Sequence, residues 1–77
     1  MLSTFDLGVI GQCCASARLK RRVAQITVAV KTGYSPKTVS GFECGLNNNL
    51  TLFMFYFIEI MDADDRADLF QRLGEVY

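Results

Sequence analysis

Lys37, Thr38 and Ser40 are the side chains of this chain best placed to do chemistry. With Gly41 they fall on the exposed side of one short helix. Ser35 is suited to cap that helix and Pro36 to start it, because proline's missing N–H costs nothing at the first helical position. An ammonium and two hydroxyls on one surface donate and accept hydrogen bonds. They do not supply an activated nucleophile. The 77 residues include no histidine, so a nucleophile–histidine pair is impossible, and no phosphate-cradling glycine loop of a known type is present. Metal chemistry is equally poorly served: Cys13 and Cys14 are adjacent, Cys44 is far along the chain, and a tetrahedral zinc site needs four ligands at workable spacing. The odd cysteine count argues against a disulfide framework, and Cys14 and Cys44 are expected as small buried apolar residues. The expectation is a non-enzymatic binding protein with no cofactor, no metal and no small-molecule ligand.

A polar helix face acts only if other elements hold it still. The stretch from Gln25 to Gly45, QITVAVKTGYSPKTVSGFECG, reads as two short helices joined by a tight turn at Gly33 and Tyr34, with Ile26, Val28, Ala29, Val39 and Phe42 inward. This pattern describes a helix-turn-helix, a motif that lays its second helix in the DNA major groove. Helix 2 spans Gln25 to Thr32 and stops at Gly33; helix 3 runs from Pro36 to Glu43 and is closed by Gly45. Helix 1 is predicted from Phe5 to Arg21, capped by Ser3 or Thr4, with Asp6 in its first turn and Leu7, Ile10, Cys14 and Ala17 as its core stripe. Gly8 and Gly11 weaken its helix preference.

Asn48 or Asn49 then opens helix 4, Leu50 to Met61, LTLFMFYFIEIM, which is apolar nearly all round yet too short to cross a bilayer. A helix that is apolar on every side needs cover on every side, and one chain of 77 residues supplies too little, so a second copy is expected to cover the rest. Asp62 is the expected cap of a fifth helix, Ala63 to Val76, with Ala63, Ala67, Phe70, Leu73 and Tyr77 as its apolar stripe. The fold class is all-α: one five-helix domain over 1–77, with 50–77 also forming a dimer interface through Phe53, Phe55, Phe57 and Phe70.

Formal net charge is zero, but it is unevenly spread. Arg18, Lys20, Arg21, Arg22, Lys31 and Lys37 lie in a stretch without an acid, whereas Glu59, Asp62, Asp64, Asp65, Asp68 and Glu75 dominate the C-terminal end. A local basic patch suffices as an electrostatic footprint for phosphate. No secretory signal is visible in MLSTFDLGVI, so the cytoplasm is the expected compartment, and no membrane partner is expected.

Together these features resemble the Cro/repressor-type (Xre) family of helix-turn-helix regulators, whose domains have a five-helix, lambda-repressor-like fold. The resemblance rests on Arg18, on Gln25 opening helix 2, on Ala29 and Gly33 around the turn, on Ser35-Pro36-Lys37-Thr38-Val39-Ser40, and on Phe42-Glu43-x-Gly45, across about residues 7 to 61. It implies an ion pair between Arg18 and Glu43 that ties helix 3 to helix 1. It implies that Gln25 meets a DNA phosphate through its side chain and backbone N–H, and that Lys37, Thr38, Ser40 and Gly41 approach base edges or flanking phosphates. From the basic band, Arg22 and Lys31 are expected to touch the DNA backbone, and Ser35 completes the expected DNA-binding set. The chain departs from the family pattern at Pro36, where relatives carry a base-reading side chain, at Ala24, which replaces a Ser or Thr, and at Arg22, which replaces a glycine. The implied function is a small dimeric transcriptional regulator, a repressor of phage or mobile-element type, on an inverted-repeat operator of double-stranded DNA. A helix-turn-helix scaffold serving as a protein–protein interaction module, inhibitor or antitoxin-like, with little or no DNA binding, stays open as the alternative.

Overall fold

Helix α1 (Leu7–Lys20) begins where the Asp6 carboxylate accepts a hydrogen bond from the Val9 N–H at 3.1 Å, in a computed structural model that describes residues 6–76. Asp6 is therefore the N-cap and not a first-turn residue, because its short side chain satisfies one of the helix's orphan donors. The expected caps Ser3 and Thr4, the expected start at Phe5, and Tyr77 lie outside the described residues.

The far end of α1 closes with two hydrogen bonds, Val23 N–H to the Arg18 carbonyl at 3.1 Å and Arg22 N–H to the Leu19 carbonyl at 3.0 Å. This pairing requires a left-handed residue between helix and linker, and Arg22 supplies it at φ 57°. An L-residue with a Cβ pays about 1–2 kcal/mol for that conformation. Arg22→Gly is expected to raise stability by up to about 1 kcal/mol, since part of the relief is offset by the greater backbone entropy of glycine in the unfolded chain. A urea melt checks it.

Helices α2 (Gln25–Thr32) and α3 (Pro36–Glu43), eight residues each, are separated by Gly33, Tyr34 and Ser35. Gly33, at φ 81°, turns the chain out of α2. Helix α4 (Leu50–Phe55) starts at Asn49, whose side chain accepts from the Leu52 N–H at 3.0 Å. It does not run as a regular α-helix to Met61. From Tyr56 to Ile60 it widens into a π-helical turn, closed by the Met61 N–H on the Tyr56 carbonyl at 2.8 Å. Arg66 of α5 (Ala63–Val76) reaches back to that turn. Its Nε donates to the Phe57 carbonyl at 2.8 Å, and its guanidinium lies 5.2 Å from the Phe57 ring centre. Asp62 caps α5 reciprocally: its carboxylate accepts from the Asp65 N–H at 2.9 Å while the Asp65 carboxylate accepts from the Asp62 N–H at 3.2 Å.

The described residues form five helices and no strand, and none of these helices is long and apolar enough to cross a membrane. The core gathers Cys14 and Ala17 of α1, Val28 and Ala29 of α2, Val39 and Phe42 of α3, Leu52, Tyr56 and Ile60 of α4 and its π turn, and Leu69 of α5. Gly11 fixes how α1 meets α3. A Cβ there would collide with the carbonyl oxygens of Phe42 and Glu43, so the two backbones touch at this point. The glycine that weakens α1 as a helix is the one that lets α3 dock.

Several sequence expectations shift. Ile26 is 55% exposed, because the inward side of α2 is set by Val28, Ala29 and half-buried Thr32. Leu7 and Ile10 are half-buried and line a groove, leaving Cys13, Cys14 and Ala17 as the covered face of α1. Cys44, at the end of α3, is exposed. On α5 the buried residue is Leu69, while Ala63, Ala67 and Phe70 face outward, since α5 turns its Leu69–Leu73 side to the core.

Candidate nucleic-acid interface

The turn before α3 is built by hydroxyl groups. Ser35 Oγ accepts from the Thr38 N–H at 3.1 Å and lies 3.0 Å from Thr38 Oγ1, so cap and first turn brace one another. Beyond Pro36 the outer side of α3 presents exposed Lys37, then half-buried Ser40 and Gly41, then exposed Cys44. Gly41 lies under a loop. Asn47 folds back over α3, its Nδ2 donating to the Thr38 carbonyl at 3.3 Å, and a Cβ on Gly41 would sit 3.3 Å from that same nitrogen. Nothing in the sequence separates Asn47, the clip of this loop, from its neighbours Asn48 and Asn49.

Behind the outer face, one buried carboxylate joins four helices. Glu43 of α3 receives Arg18 of α1 in a two-pronged pair, Nε to Oε2 at 2.7 Å and Nη2 to Oε1 at 2.9 Å. Gln25, the first residue of α2, donates from Nε2 to Oε1 at 2.9 Å, and the Tyr56 hydroxyl donates to Oε2. Arg18 Nη1 also holds the Val23 carbonyl at 2.8 Å, fixing the linker into α2. Burial alone would push the Glu43 carboxyl up, but hydrogen bonds from Arg18, Tyr56 and Gln25 outweigh it and hold the group below its ordinary value. The Tyr56 hydroxyl is pushed well above its usual range by burial and by the carboxylate it serves. The resemblance implies the Arg18–Glu43 pair; it gives no role to Tyr56, the only hydroxyl-bearing aromatic in LTLFMFYFIEIM.

The structure pairs off half of the basic band. Arg18 is spent on Glu43. Lys20 meets Asp65 at 2.8 Å and Asp62 at 3.7 Å, while Arg21 meets each of those aspartates at 2.8 Å. The start of the acidic C-terminal helix thus neutralises the end of α1 in place of standing apart from it. Arg22, Lys31 and Lys37 make no ion pair among the described residues. Lys31 sits on the α4 side of α2, lining a hollow of about 350 Å³ with Thr51, Met54, Ile58 and Glu59. At the other end of α2, Ala24 offers no side-chain cap, which leaves the first N–H groups beside Gln25 open to an anion.

No protein-family model, curated protein or solved structure matches this chain.

Asp65 sets an acid limit on that geometry. Burial raises its carboxyl, yet hydrogen bonds from Lys20, the Asp62 backbone and Arg21 carry it from 3.8 down to about 2. A carboxyl lowered on folding contributes stability that is complete above its unfolded value and is lost as pH falls through its folded one. Melting temperature is therefore expected to drop between about pH 4 and pH 2, and Asp65→Asn to flatten part of that slope. Thermal melts of both proteins across this range check it.

The four expected dimer residues separate. Phe53, Phe57 and Phe70 form a row, with ring centres 5.7 Å and 5.9 Å apart, and Phe53 and Phe70 line an apolar groove of about 300 Å³ with Leu7, Ile10, Phe42, Leu50 and Leu73. Phe55 is on the other flank, in the hollow with Lys31. Linking the two is a strip that the expectation of an all-round buried helix 4 did not single out: Leu50, on the groove, and Met54 and Ile58, on the hollow, are 69%, 42% and 56% exposed at four-residue spacing.

Proposed function

We propose that this protein is a small dimeric transcriptional regulator of lambda-repressor type that acts on DNA without catalysing a reaction. In this reading α2 and α3 form a helix-turn-helix, α3 enters the major groove of an inverted-repeat operator, and the regulator works in the cytoplasm as a repressor. The observation that carries the reading is the way α3 is mounted. Its inner side is anchored to three other helices through Glu43, while its outer side carries exposed Lys37 and half-buried Ser40, and the start of α2 at Gln25 is uncapped. A helix held this firmly by its inner face leaves its outer face to a rigid partner such as a duplex.

Readout by α3 is sparse. Pro36 and Gly41 carry no polar group, and Thr38 is braced against Ser35. Lys37 is left as the one long polar side chain, so DNA shape is expected to supply much of the discrimination. The apolar strip of Leu50, Met54 and Ile58, with Phe53, Phe57 and Phe70 beside it, supports a second copy as the cover for α4. The loss of Arg18, Lys20 and Arg21 to internal ion pairs favours the competing reading, a protein-interaction module on the same scaffold.

Salt separates the two. A DNA reader loses affinity for a duplex linearly in log salt, with a slope of about 0.9 for each phosphate neutralised, whereas a module without DNA function binds no duplex. Lys37→Ala is expected to weaken duplex binding by about 1–3 kcal/mol. If Lys37 reads a guanine, the loss is confined to one base position; if it touches phosphate, the loss is uniform and the salt slope falls by about one contact. Unaltered binding by Lys37→Ala would remove α3 from the interface.

A further inference from the structure

We infer that Tyr56 is a positioning residue for the DNA contact at the start of α2, acting through Glu43 on the amide of Gln25. This rests on the DNA-binding reading above.

A carboxylate offers about four acceptor positions, and Glu43 uses two on each oxygen. Oε2 takes Arg18 Nε and the Tyr56 hydroxyl; Oε1 takes Arg18 Nη2 and Gln25 Nε2. Arg18 cannot give way, because its third nitrogen is tied to the Val23 carbonyl. The tyrosine hydroxyl is therefore the group that keeps Oε2 occupied and leaves Oε1 aimed at Gln25. Since an ionised carboxylate only accepts, it also decides which end of the Gln25 amide faces inward. The nitrogen end is held inward, at the first residue of a helix whose start has no side-chain cap. Without the tyrosine hydroxyl, Oε2 keeps a buried, unfilled acceptor position. The carboxylate is then held by Arg18 and Gln25 alone, and its grip on the Gln25 amide loosens as it adjusts to the empty position.

Tyr56 suits a clean test. It is fully buried and stacks on Phe42 with ring centres 5.7 Å apart, so Tyr56→Phe keeps the ring and its packing and removes only the hydroxyl. A duplex selected by the wild-type protein from a random-sequence pool serves as the probe. Affinity and salt slope are measured on it for wild type, Tyr56→Phe, Gln25→Ala and the double variant. Tyr56→Phe is expected to bind about tenfold more weakly, within the usual range for coupling between sites. Its salt slope should stay at the wild-type value, because a neutral amide contact releases no counterion. The double variant should bind no worse than Gln25→Ala alone, because both changes remove one contact.

Losses that multiply in the double variant, or a Tyr56→Phe protein within twofold of wild type, overturn the inference while leaving the DNA-binding reading standing. Failure of the wild-type protein to select any duplex overturns both. The coupling is reciprocal, so Gln25→Ala, a change at a half-exposed helix start, is expected to shift the proton resonance of the buried Tyr56 hydroxyl in DNA-free protein. An unmoved resonance overturns the inference even if Tyr56→Phe fails to fold.

Discussion

Glu43→Ala is expected to cost about 3–5 kcal/mol of folding stability, most of what a domain of 77 residues possesses. The size of the loss comes from what remains behind. Arg18, itself buried, would keep its charge with no counterion, and the Tyr56 hydroxyl and Gln25 amide would each lose their acceptor. Removing one member of a buried pair is far worse than removing all of it. Arg18→Met combined with Glu43→Leu and Tyr56→Phe is therefore expected to recover much of the stability, since apolar groups of similar volume replace the cluster without stranding a charge. Those two results together would mean that the cluster orients α2 and α3 more than it stabilises them. Urea melts of the single and triple variants read both numbers. A Glu43→Ala protein within 1 kcal/mol of wild type would show that the carboxylate is not the hub drawn above. Acid acts in the same direction, because a carboxyl held below its ordinary value gives up its contribution once protonated.

The elements of this protein were legible in its sequence because their ends are written in residues with local meaning. Ser35 and Pro36 open α3, Gly33 and Gly45 carry positive φ, and Asp62 caps α5, each through contacts within a few residues of itself. Faces were legible less often. Ile26 and Val28 are two residues apart on a short helix with four β-branched side chains besides a threonine at its end, and only contacts from α3 and α4 decide which of them turns inward. Phe70 and Leu69 pose the same problem on α5, where docking on α1 buries the leucine and leaves the aromatic at the rim.

Long-range partnerships were the least visible. Tyr56 reads as one more aromatic in an apolar run, and Lys20 and Arg21 read as free charges until α5 returns its Asp62 and Asp65 to the end of α1. A local stretch specifies its caps and turns, whereas a buried hydrogen bond or a paired charge depends on elements tens of residues away.

Met54→Glu is expected to abolish the proposed dimer and, with it, high-affinity binding to a two-half-site duplex. Met54 lies midway along the strip of Leu50, Met54 and Ile58 and is 42% exposed in a single chain, so a glutamate there stays hydrated and leaves the monomer fold intact. Two copies packed through this strip would bring that residue and its symmetry mate into one interface, burying two like charges without partners. Sedimentation equilibrium of the variant should fit a monomer at concentrations where wild type is dimeric. Tethering two half-site readers raises duplex affinity by about 10²–10⁴, so a comparable loss is expected on the full operator, with little change on a single half-site. That difference excludes simple damage to α3, which would weaken both duplexes alike. A variant that remains dimeric would move the interface to the groove between Phe53 and Phe70, where Phe70→Glu is the matching test. The two substitutions distinguish the outer strip of α4 from its α5 flank, and only the surface that a second copy covers can answer with both a change of mass and a loss confined to the paired half-sites.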